Sequence, residues 1–369
     1  MISKEYPQRE VQVGVWKKFQ EPVIVGIIVL GGLFTVFVFR RVSTDLFFPM
    51  GIAIMAVLAY FNGANDVSKA IATLVGSGVS NYRRAITWGS LCTVVGAFTS
   101  TFLAVGLVST FTKGLIAGSA HLTEQFALAT LVGAVAWVYA ATRLALPVST
   151  THAITGAVVV TGVAAFGLDK VLWANLGNKI LLPLLVSPLV ALIFGLILFW
   201  LIQLALARVN LDWAHWISSG VASFTRGLND TPKVVALGAV FFLIGRSSSE
   251  PLAIPVWLFV VVALAMGLGS VIGGLKVTKT LAEKVTKMDH HEGFAANLAT
   301  AFLVGTSSPL SLPVSTTHVS SCAIIGIGVR KGNQAIQWQT VRDIVLAWLI
   351  TLPAAGVLGL LAYLLLSVS

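Results

Sequence analysis

The seven residues Leu-Pro-Val-Ser-Thr-Thr-His occur twice in this chain, at 146–152 and again, identically, at 312–318. A second motif precedes each copy, Gly-Ala-Asn-Asp at 63–66 and Gly-Leu-Asn-Asp at 227–230. The two copies of the first motif are 166 residues apart, and those of the second are 164 residues apart. Because two independent motifs recur at nearly one offset, the chain contains an internal duplication.

The composition indicates the solvent in which this duplicated chain folds. Of the 369 residues, 57% are hydrophobic and only 10% are charged, against about 45–50% and about 25% in soluble domains. A soluble protein of this size cannot hide so much apolar surface, because charged residues must cover its exterior. Soluble, fibrous, disordered and disulfide-rich secreted classes are therefore excluded, and the chain is predicted to lie mostly in a lipid bilayer.

Charge-free windows long enough to cross a bilayer predict roughly ten helical spans. All are expected to be helical, since the alternating pattern of a membrane β-barrel is absent. An extra span at 22–39 precedes the duplicated part, and the stretch 293–329 is broken by prolines. Short apolar windows at 70–82 and 234–245 follow the two Asn-Asp motifs, and they predict an interrupted helix in each half.

The predicted organisation has five segments. They are an N-terminal segment with an extra transmembrane helix (1–43), transporter repeat 1 (44–170), a connecting transmembrane helix (171–208), an inverted transporter repeat 2 (209–333) and a C-terminal transmembrane helix (334–369).

Loop charges indicate that the second repeat is inverted. The lysine-rich loop 276–287 corresponds to residues 110–121 in the first half, which carry one lysine. A charge-rich loop paired with a charge-poor one is expected when two halves have opposite orientations. The predicted fold class is an all-α, multi-pass protein of the plasma (inner) membrane. Its predicted architecture is an inverted-repeat secondary transporter with broken helices and re-entrant helical hairpins.

The Pro-Val-Ser-Thr-Thr-His motif is typical of a helix start. Proline needs no partner for its nitrogen, and the hydroxyls cap free backbone N–H groups. Inside a membrane these N–H groups, the positive helix end and the hydroxyl donors suit an oxyanion with four oxygens. Alternatively, the hydroxyls only satisfy their own helix ends. The candidate anion-binding residues are Ser149, Thr150, Thr151, Ser315, Thr316 and Thr317.

The two Asn-Asp motifs place carboxylates inside apolar spans, where ionisable groups by default mark a pathway or a coupling site. Carboxylate and amide oxygens are ligands that an alkali cation prefers, and the candidate sodium ligands are Asn65, Asp66, Asn229 and Asp230. The alternative is a salt bridge from each aspartate to the lysine three residues further on, Lys69 or Lys233. The nearby His152 and His318 could carry protons; the favoured interpretation is that they hydrogen-bond within the hairpin as structural residues.

These motifs resemble the inorganic phosphate transporter (PiT) family, over about residues 44–333. The resemblance implies inverted repeats, phosphate at the paired Ser/Thr hairpins, cations at the Asn-Asp motifs and a homodimer. One departure is that Ser68 and Lys69 stand where the family usually has two small or amide residues.

The predicted function is cation-coupled symport of inorganic phosphate, most simply with sodium, by alternating access. The Pro-Val-Ser-Thr-Thr-His motifs carry no Arg or Lys to balance a phosphate charge, so a bound sodium ion would do so. Proton coupling or sulfate transport by the same fold is the first alternative. An intramembrane hydrolase using Ser149 and His152 is a distant second, because the constellation occurs twice. No enzyme activity, resident cofactor or nucleic-acid partner is expected. The net charge of +10 is assigned to loops and lipid contacts.

Overall fold

A computed structural model describes residues 46–244 and 254–367. The predicted extra span at 22–39 lies outside the described residues. Within them the chain is helical, with two isolated β-bridges and no strand, which confirms the all-α fold class. Six of the described helices are long and apolar enough to cross a membrane. The described chain is therefore a multi-pass helical membrane protein.

The described residues of the first half form six helices. They are α1 (Phe47–Asp66), α2 (Ser68–Gly76), α3 (Tyr82–Leu103), α4 (Val105–Thr112), α5 (Glu124–Arg143) and α6 (Thr150–Phe166). A helical turn at Trp173–Asn175 and a π-helical segment at Leu176–Leu181 then lead into α7 (Leu182–Leu206).

The second half follows the same order with fewer breaks. Its helices are α8 (Asp212–Ala239), α9 (Val256–Gly273), α10 (Leu275–Glu283), α11 (His290–Ser307), α12 (Thr316–Arg330) and α13 (Trp338–Ser367). Short 3₁₀ turns occur at Leu168–Lys170, Val240–Phe242 and Asn333–Ala335.

Matched details continue past the predicted repeat ends at 170 and 333. A glycine with positive φ ends the last helix of each half, with φ of 95° at Gly167 and 97° at Gly332. Each is followed by a 3₁₀ turn and then by a long helix with an internal proline, α7 or α13. The similarity between the halves thus extends into α7 and α13, while the boundaries at 171 and 334 stay a prediction.

Each half packs into the other through glycines. A Cβ at Gly63 of α1 would overlap the Met266 carbonyl oxygen of α9, and one at Gly227 of α8 would overlap the Thr93 carbonyl oxygen of α3. Lipid is as apolar as the helices, so no hydrophobic force drives the helices together. They associate through close van der Waals packing, which small residues allow. Helices α6 and α13 also pack together, as do α12 and α7. The two Asn-Asp motifs are consequently held at helix crossings between the halves.

The interruptions predicted after the two Asn-Asp motifs are wrong in the second half and slight in the first. Helix α8 continues through Pro232 without a break, and only Val67 separates α1 from α2. Residues 226–241 are all buried, and such packing lets a membrane helix tolerate the bond that proline removes. The clear breaks instead precede α6 and α12, where Ala145 and Ser311 have φ of 58° and 57°.

Gly227→Ala should destabilise the fold, because the added methyl would force α8 away from the α3 backbone. Overpacking of this kind costs about 1–3 kcal/mol, and it should lower the apparent melting temperature in detergent. Gly177→Ala is the matched control, since a Cβ there meets nothing within 4 Å. Equal melting temperatures for the two variants would contradict the tight crossing.

Candidate functional site

Both hairpin motifs begin a helix as predicted. The hydroxyl oxygen of Ser149 accepts the backbone N–H of His152 at 3.3 Å, and that of Ser315 accepts the N–H of His318 at 3.2 Å. The first N–H groups of a helix have no intrahelical partner. The three Ser/Thr residues at each helix start are at most 2% exposed. Each half therefore presents a buried, positive helix end.

The two helix starts contact each other in the protein interior. The hydroxyl of Thr317 donates to the Val148 carbonyl at 2.7 Å, which joins the second hairpin to the first. The imidazole rings of His152 and His318 lie with centroids 4.7 Å apart. The structure thus brings all six candidate anion-binding residues into one region.

Five of these six hydroxyls keep a hydrogen to donate. Thr150 Oγ1 accepts from Asn62 Nδ2 at 2.9 Å, and Thr151 Oγ1 accepts from Lys233 Nζ at 2.9 Å. Thr316 Oγ1 accepts from Asn229 Nδ2 at 3.3 Å, and Ser149 and Ser315 accept backbone N–H groups. Amide and ammonium groups only donate here, so each accepting hydroxyl can still give its own hydrogen to an anion. Thr317 differs, because its hydrogen is used on the Val148 carbonyl.

The alternative salt bridges of the two Asn-Asp motifs both form. Lys69 Nζ lies 2.5 Å from Asp66 Oδ1, and it also contacts the backbone oxygen of Asn65 at 2.9 Å and its Oδ1 at 2.6 Å. Lys233 Nζ lies 3.2 Å from Asp230 Oδ1. The side chains of both lysines are fully buried. Ammonium groups therefore occupy oxygens that were predicted to bind sodium.

Lys233 also brings a positive charge to the hairpins. Besides Asp230, its Nζ contacts Thr151 Oγ1 of the first hairpin and the Val314 carbonyl of the second, at 3.0 Å. The hairpin motifs contain no cation, but the fold supplies one from the other motif. Because Asp230 already pairs with this ammonium, Lys233 supplies a hydrogen-bond donor at the hairpins but no uncompensated charge, and a balancing sodium ion stays a prediction.

The asparagines of the two motifs hold the irregular backbone in front of the helix starts. Asn65 Nδ2 donates to the Leu146 carbonyl at 3.0 Å, and its Oδ1 accepts the Val148 N–H at 3.2 Å. Asn229 Nδ2 donates to the Val314 carbonyl at 3.2 Å. Non-helical backbone at membrane depth must be satisfied by protein groups, and the Asn-Asp motifs do this for both hairpins.

Sequence reasoning missed two residues at this site. Asn62 is fully buried and bridges Asp66 and Thr150, and Arg226 is fully buried among α3, α8 and α9. Both stand one helical turn before a motif aspartate, on the same face of the helix. An arginine within an apolar stretch was itself a usable signal.

The histidines do not form a nucleophile–base pair. His318 Nδ1 contacts the Leu184 carbonyl at 3.2 Å, and its ring packs on Trp348 at 4.1 Å. The hydrogen bond between His152 and Ser149 uses the backbone N–H, and His152 Nδ1 has no partner in the described part. The hydrolase alternative therefore has no geometric support, and the structural interpretation of His318 fits its contacts.

Helices with apolar surfaces surround two facing helix starts, hydroxyl donors and two buried Asp–Lys pairs. Such an arrangement belongs to the class of membrane transporters for anions. The phosphate transporter family model matches residues 62–212 and 205–359. The chain belongs to this phosphate transporter family, and it is a transporter rather than an enzyme.

Individual relatives agree with this assignment. The probable low-affinity inorganic phosphate transporter of Bacillus subtilis (strain 168) is 32% identical over 318 residues, which cover 84% of this chain and 93% of that protein. A protein with the same description from Rhizobium meliloti (strain 1021) is 29% identical and covers 87% and 98%. A solved structure described as the sodium-dependent phosphate transporter matches with a TM-score of 0.78. It covers 88% of this chain and 99% of that one, and at 22% identity it supports the fold.

Thr150→Val and Thr316→Val should each weaken phosphate binding while the protein still folds. Valine keeps the shape of threonine but removes a hydroxyl donor, and a lost hydrogen bond to a charged group costs about 1.5–3 kcal/mol. Affinity, measured as phosphate-induced thermal stabilisation of the purified protein, should fall by about tenfold or more.

Thr99→Val is the matched control, because the Thr99 hydroxyl donates only to the Val95 carbonyl of its own helix. It should bind phosphate like the parent protein. Unchanged affinity in both hairpin variants would place the anion elsewhere.

Proposed function

We propose that this protein is a cation-coupled secondary transporter of inorganic phosphate that works by alternating access. Phosphate would be held between the hairpins α5–α6 and α11–α12. The observation that carries the proposal is the convergence of five available hydroxyl hydrogens and the Lys233 ammonium between two positive helix ends. This shell consists of donors, and a four-oxygen anion can accept from several of them at once.

Alternating access follows from the proposed inversion of the two halves. The paired family matches and the exchanged packing of α1 on α9 and α8 on α3 support a duplicated architecture. In inverted-repeat transporters the substrate site lies at the repeat interface, where each half takes one of two conformations in turn. The facing hairpins occupy that interface here.

A protonated anion fits this site better than sulfate does. Asp230 Oδ2 is buried and has no hydrogen-bond partner in the described part. Phosphate retains a proton near neutral pH and can donate it to this carboxylate oxygen, whereas sulfate has none to give. Asp230 would therefore discriminate between the two anions.

A co-transported cation is needed because an anion entering a cell moves against an inside-negative potential. Each elementary charge costs about 2.3 kcal/mol per 100 mV. We propose sodium, bound by oxygens of Asn65, Asp66, Asn229 and Asp230. The carboxylate and amide chemistry supports this, as does the fold match to a protein described as sodium-dependent. Sodium binding at the first motif would require Lys69 to withdraw from Asp66 Oδ1.

The proton is a second candidate for the coupling ion, and one observation favours it. The Lys69 ammonium holds three oxygens of the first motif at 2.5–2.9 Å. With this resident cation in place, no sodium is needed to neutralise Asp66. Phosphate would then enter with a proton.

We further propose that the protein works as a homodimer in the plasma membrane. Large exposed apolar side chains along α7, such as Leu185 and Leu204 at 75% and 72% exposed, would contact lipid. Cross-linking of the protein in native membranes, compared with the detergent-solubilised protein, tests the dimer.

Uptake of radiolabelled phosphate into proteoliposomes tests the function and the coupling ion together. With sodium coupling, an inward sodium gradient at equal pH drives accumulation, and choline substitution abolishes it. Accumulation driven by a pH gradient in choline would instead establish proton coupling. No phosphate uptake under either gradient would overturn the transporter proposal.

Asp66→Asn and Asp230→Asn should both impair coupled uptake, and Asp230→Asn should be at least as severe. Asparagine keeps the size and one oxygen but removes the charge that offsets the cation. Sodium activation should shift to higher concentration, and phosphate affinity should fall with it, because linked sites change affinity reciprocally. Asp230 pairs with Lys233, which itself contacts the first hairpin. Loss of the Asp230 charge should therefore disturb the anion site as well, which is why this variant is expected to be the more severe.

The control for these variants is Asp169→Asn, since the Asp169 side chain is 76% exposed and pairs loosely with Lys170 at 3.6 Å. Melting temperatures of all variants separate loss of folding from loss of coupling. Full uptake with an unaltered sodium dependence in an Asp66 or Asp230 variant would leave that aspartate as a structural partner of its lysine.

A further inference from the structure

Arg226 is a fully buried cation whose hydrogen-bonding capacity is mostly unused. It lies in α8, and its Nη2 donates to Thr93 Oγ1 at 2.9 Å and to Ser270 Oγ at 3.4 Å. Its Nε and Nη1 are buried without a partner in the described part of the chain. A guanidinium offers five donor hydrogens and is always charged. Leaving two of its nitrogens unpaired in a buried site is costly, so these nitrogens are suited to bind a further group.

The charges around Arg226 are not balanced. Asp66 is paired with Lys69 and Asp230 with Lys233. Both aspartates attract the guanidinium from a distance, but it hydrogen-bonds only to hydroxyls among the described residues. This buried cluster therefore holds three cations and two carboxylates. One further anion would compensate the remaining positive charge.

The duplication indicates where that anion would meet Arg226. Arg226 stands four residues before Asp230, as Asn62 stands four residues before Asp66. Asn62 Nδ2 donates to Thr150 of the first hairpin at 2.9 Å. Arg226 makes no such contact with the equivalent Thr316, which instead receives a hydrogen bond from the adjacent motif. The first half thus contacts its hairpin from this position, and the second half does not.

We propose that Arg226 is an additional phosphate-binding residue, which engages the anion at the Thr316 hairpin when the two halves exchange conformations. The inference rests on the proposed alternating access. In the exchanged state, position 226 takes the place that position 62 holds here, and the free guanidinium nitrogens donate to phosphate oxygens. In the present state Arg226 is held by Thr93 and Ser270, away from the hairpin.

A state-dependent arginine reconciles tight binding with release. A guanidinium that touched phosphate throughout the cycle would bind it strongly and slow its departure. A guanidinium that contacts the anion in one state only strengthens binding on one side of the membrane and lets go on the other. Arg226 then sets the affinity difference between the two sides.

The test is phosphate uptake by the full chain in proteoliposomes, with Arg226→Gln, Arg226→Lys and Thr93→Val compared to the parent. Arg226→Gln should raise the KM for phosphate by about tenfold or more, because charge-assisted hydrogen bonds are lost. Arg226→Lys should fall between the two. Thr93→Val removes a partner that holds Arg226 in the present state but leaves the guanidinium in place, so it should not raise the KM.

Three other outcomes would contradict either the role of Arg226 or the proposed transport function on which it rests. A parent-like KM in Arg226→Gln overturns the inference while leaving phosphate transport intact. Arg226→Gln and Thr93→Val could instead lose phosphate affinity and melting temperature to the same extent. Arg226 would then act only as a structural link between α3 and α8, and the inference would be wrong. Absence of uptake by the parent protein overturns the proposed function itself.

If the variants do not fold, the inference can still be tested by a measurement on the parent protein. Phenylglyoxal modifies arginine, and peptide mass spectrometry reports the labelling of Arg226. This residue is fully buried here, so it is labelled only when the proposed transport cycle opens the site to water. Inorganic phosphate should slow this labelling and leave that of the exposed Arg342 unchanged. The same rate at Arg226 with and without phosphate overturns the inference.

Discussion

The hydrogen bonds from the Asn-Asp motifs to the hairpin backbone are the interactions on which this architecture depends. A helix that starts inside a membrane leaves N–H and C=O groups that neither lipid nor water can satisfy. Asn65 satisfies both sides of the first break, through the Leu146 carbonyl and the Val148 N–H. Asn229 and Lys233 share the Val314 carbonyl in the second. Each hairpin motif therefore requires an Asn-Asp motif, which explains why the two recur in step.

The same motif makes different contacts in the two halves. Lys69 bonds only within its own motif, whereas Lys233 crosses to Thr151 of the other half. In return, Ser320 of α12 donates to the Lys69 carbonyl at 2.6 Å. Two copies that were equivalent in conformation would face both sides of the membrane alike. The unequal contacts of the two halves therefore support the alternating access proposed above.

Local signals predicted local structure, and packing decided the rest. The helix starts at Thr150 and Thr316 follow from proline and hydroxyl preferences that act over a few residues. The salt bridges of the Asn-Asp motifs also follow from the three-residue spacing of aspartate and lysine. The contact between Lys233 and Thr151 joins residues 82 positions apart, and it depends on how the halves pack. The continuity of α8 through Pro232 depends on burial in the same way, since neighbouring helices stabilise a segment that proline alone would weaken.

The electrostatics of the site limit how phosphate can be bound. Both lysines are already neutralised by aspartates, so a phosphate entering between the hairpins meets mostly neutral hydroxyls and helix ends. Such donors are strong enough to orient an anion in a medium of low dielectric constant but do not cancel its charge. The charge must then be balanced by a cation that travels with phosphate or by Arg226, the one cation of this buried cluster without a carboxylate partner among the described residues. A travelling cation couples transport to its gradient, whereas a resident arginine changes affinity without providing driving force. In the proposed mechanism the two are complementary, since the first would drive accumulation and the second would determine on which side phosphate is released.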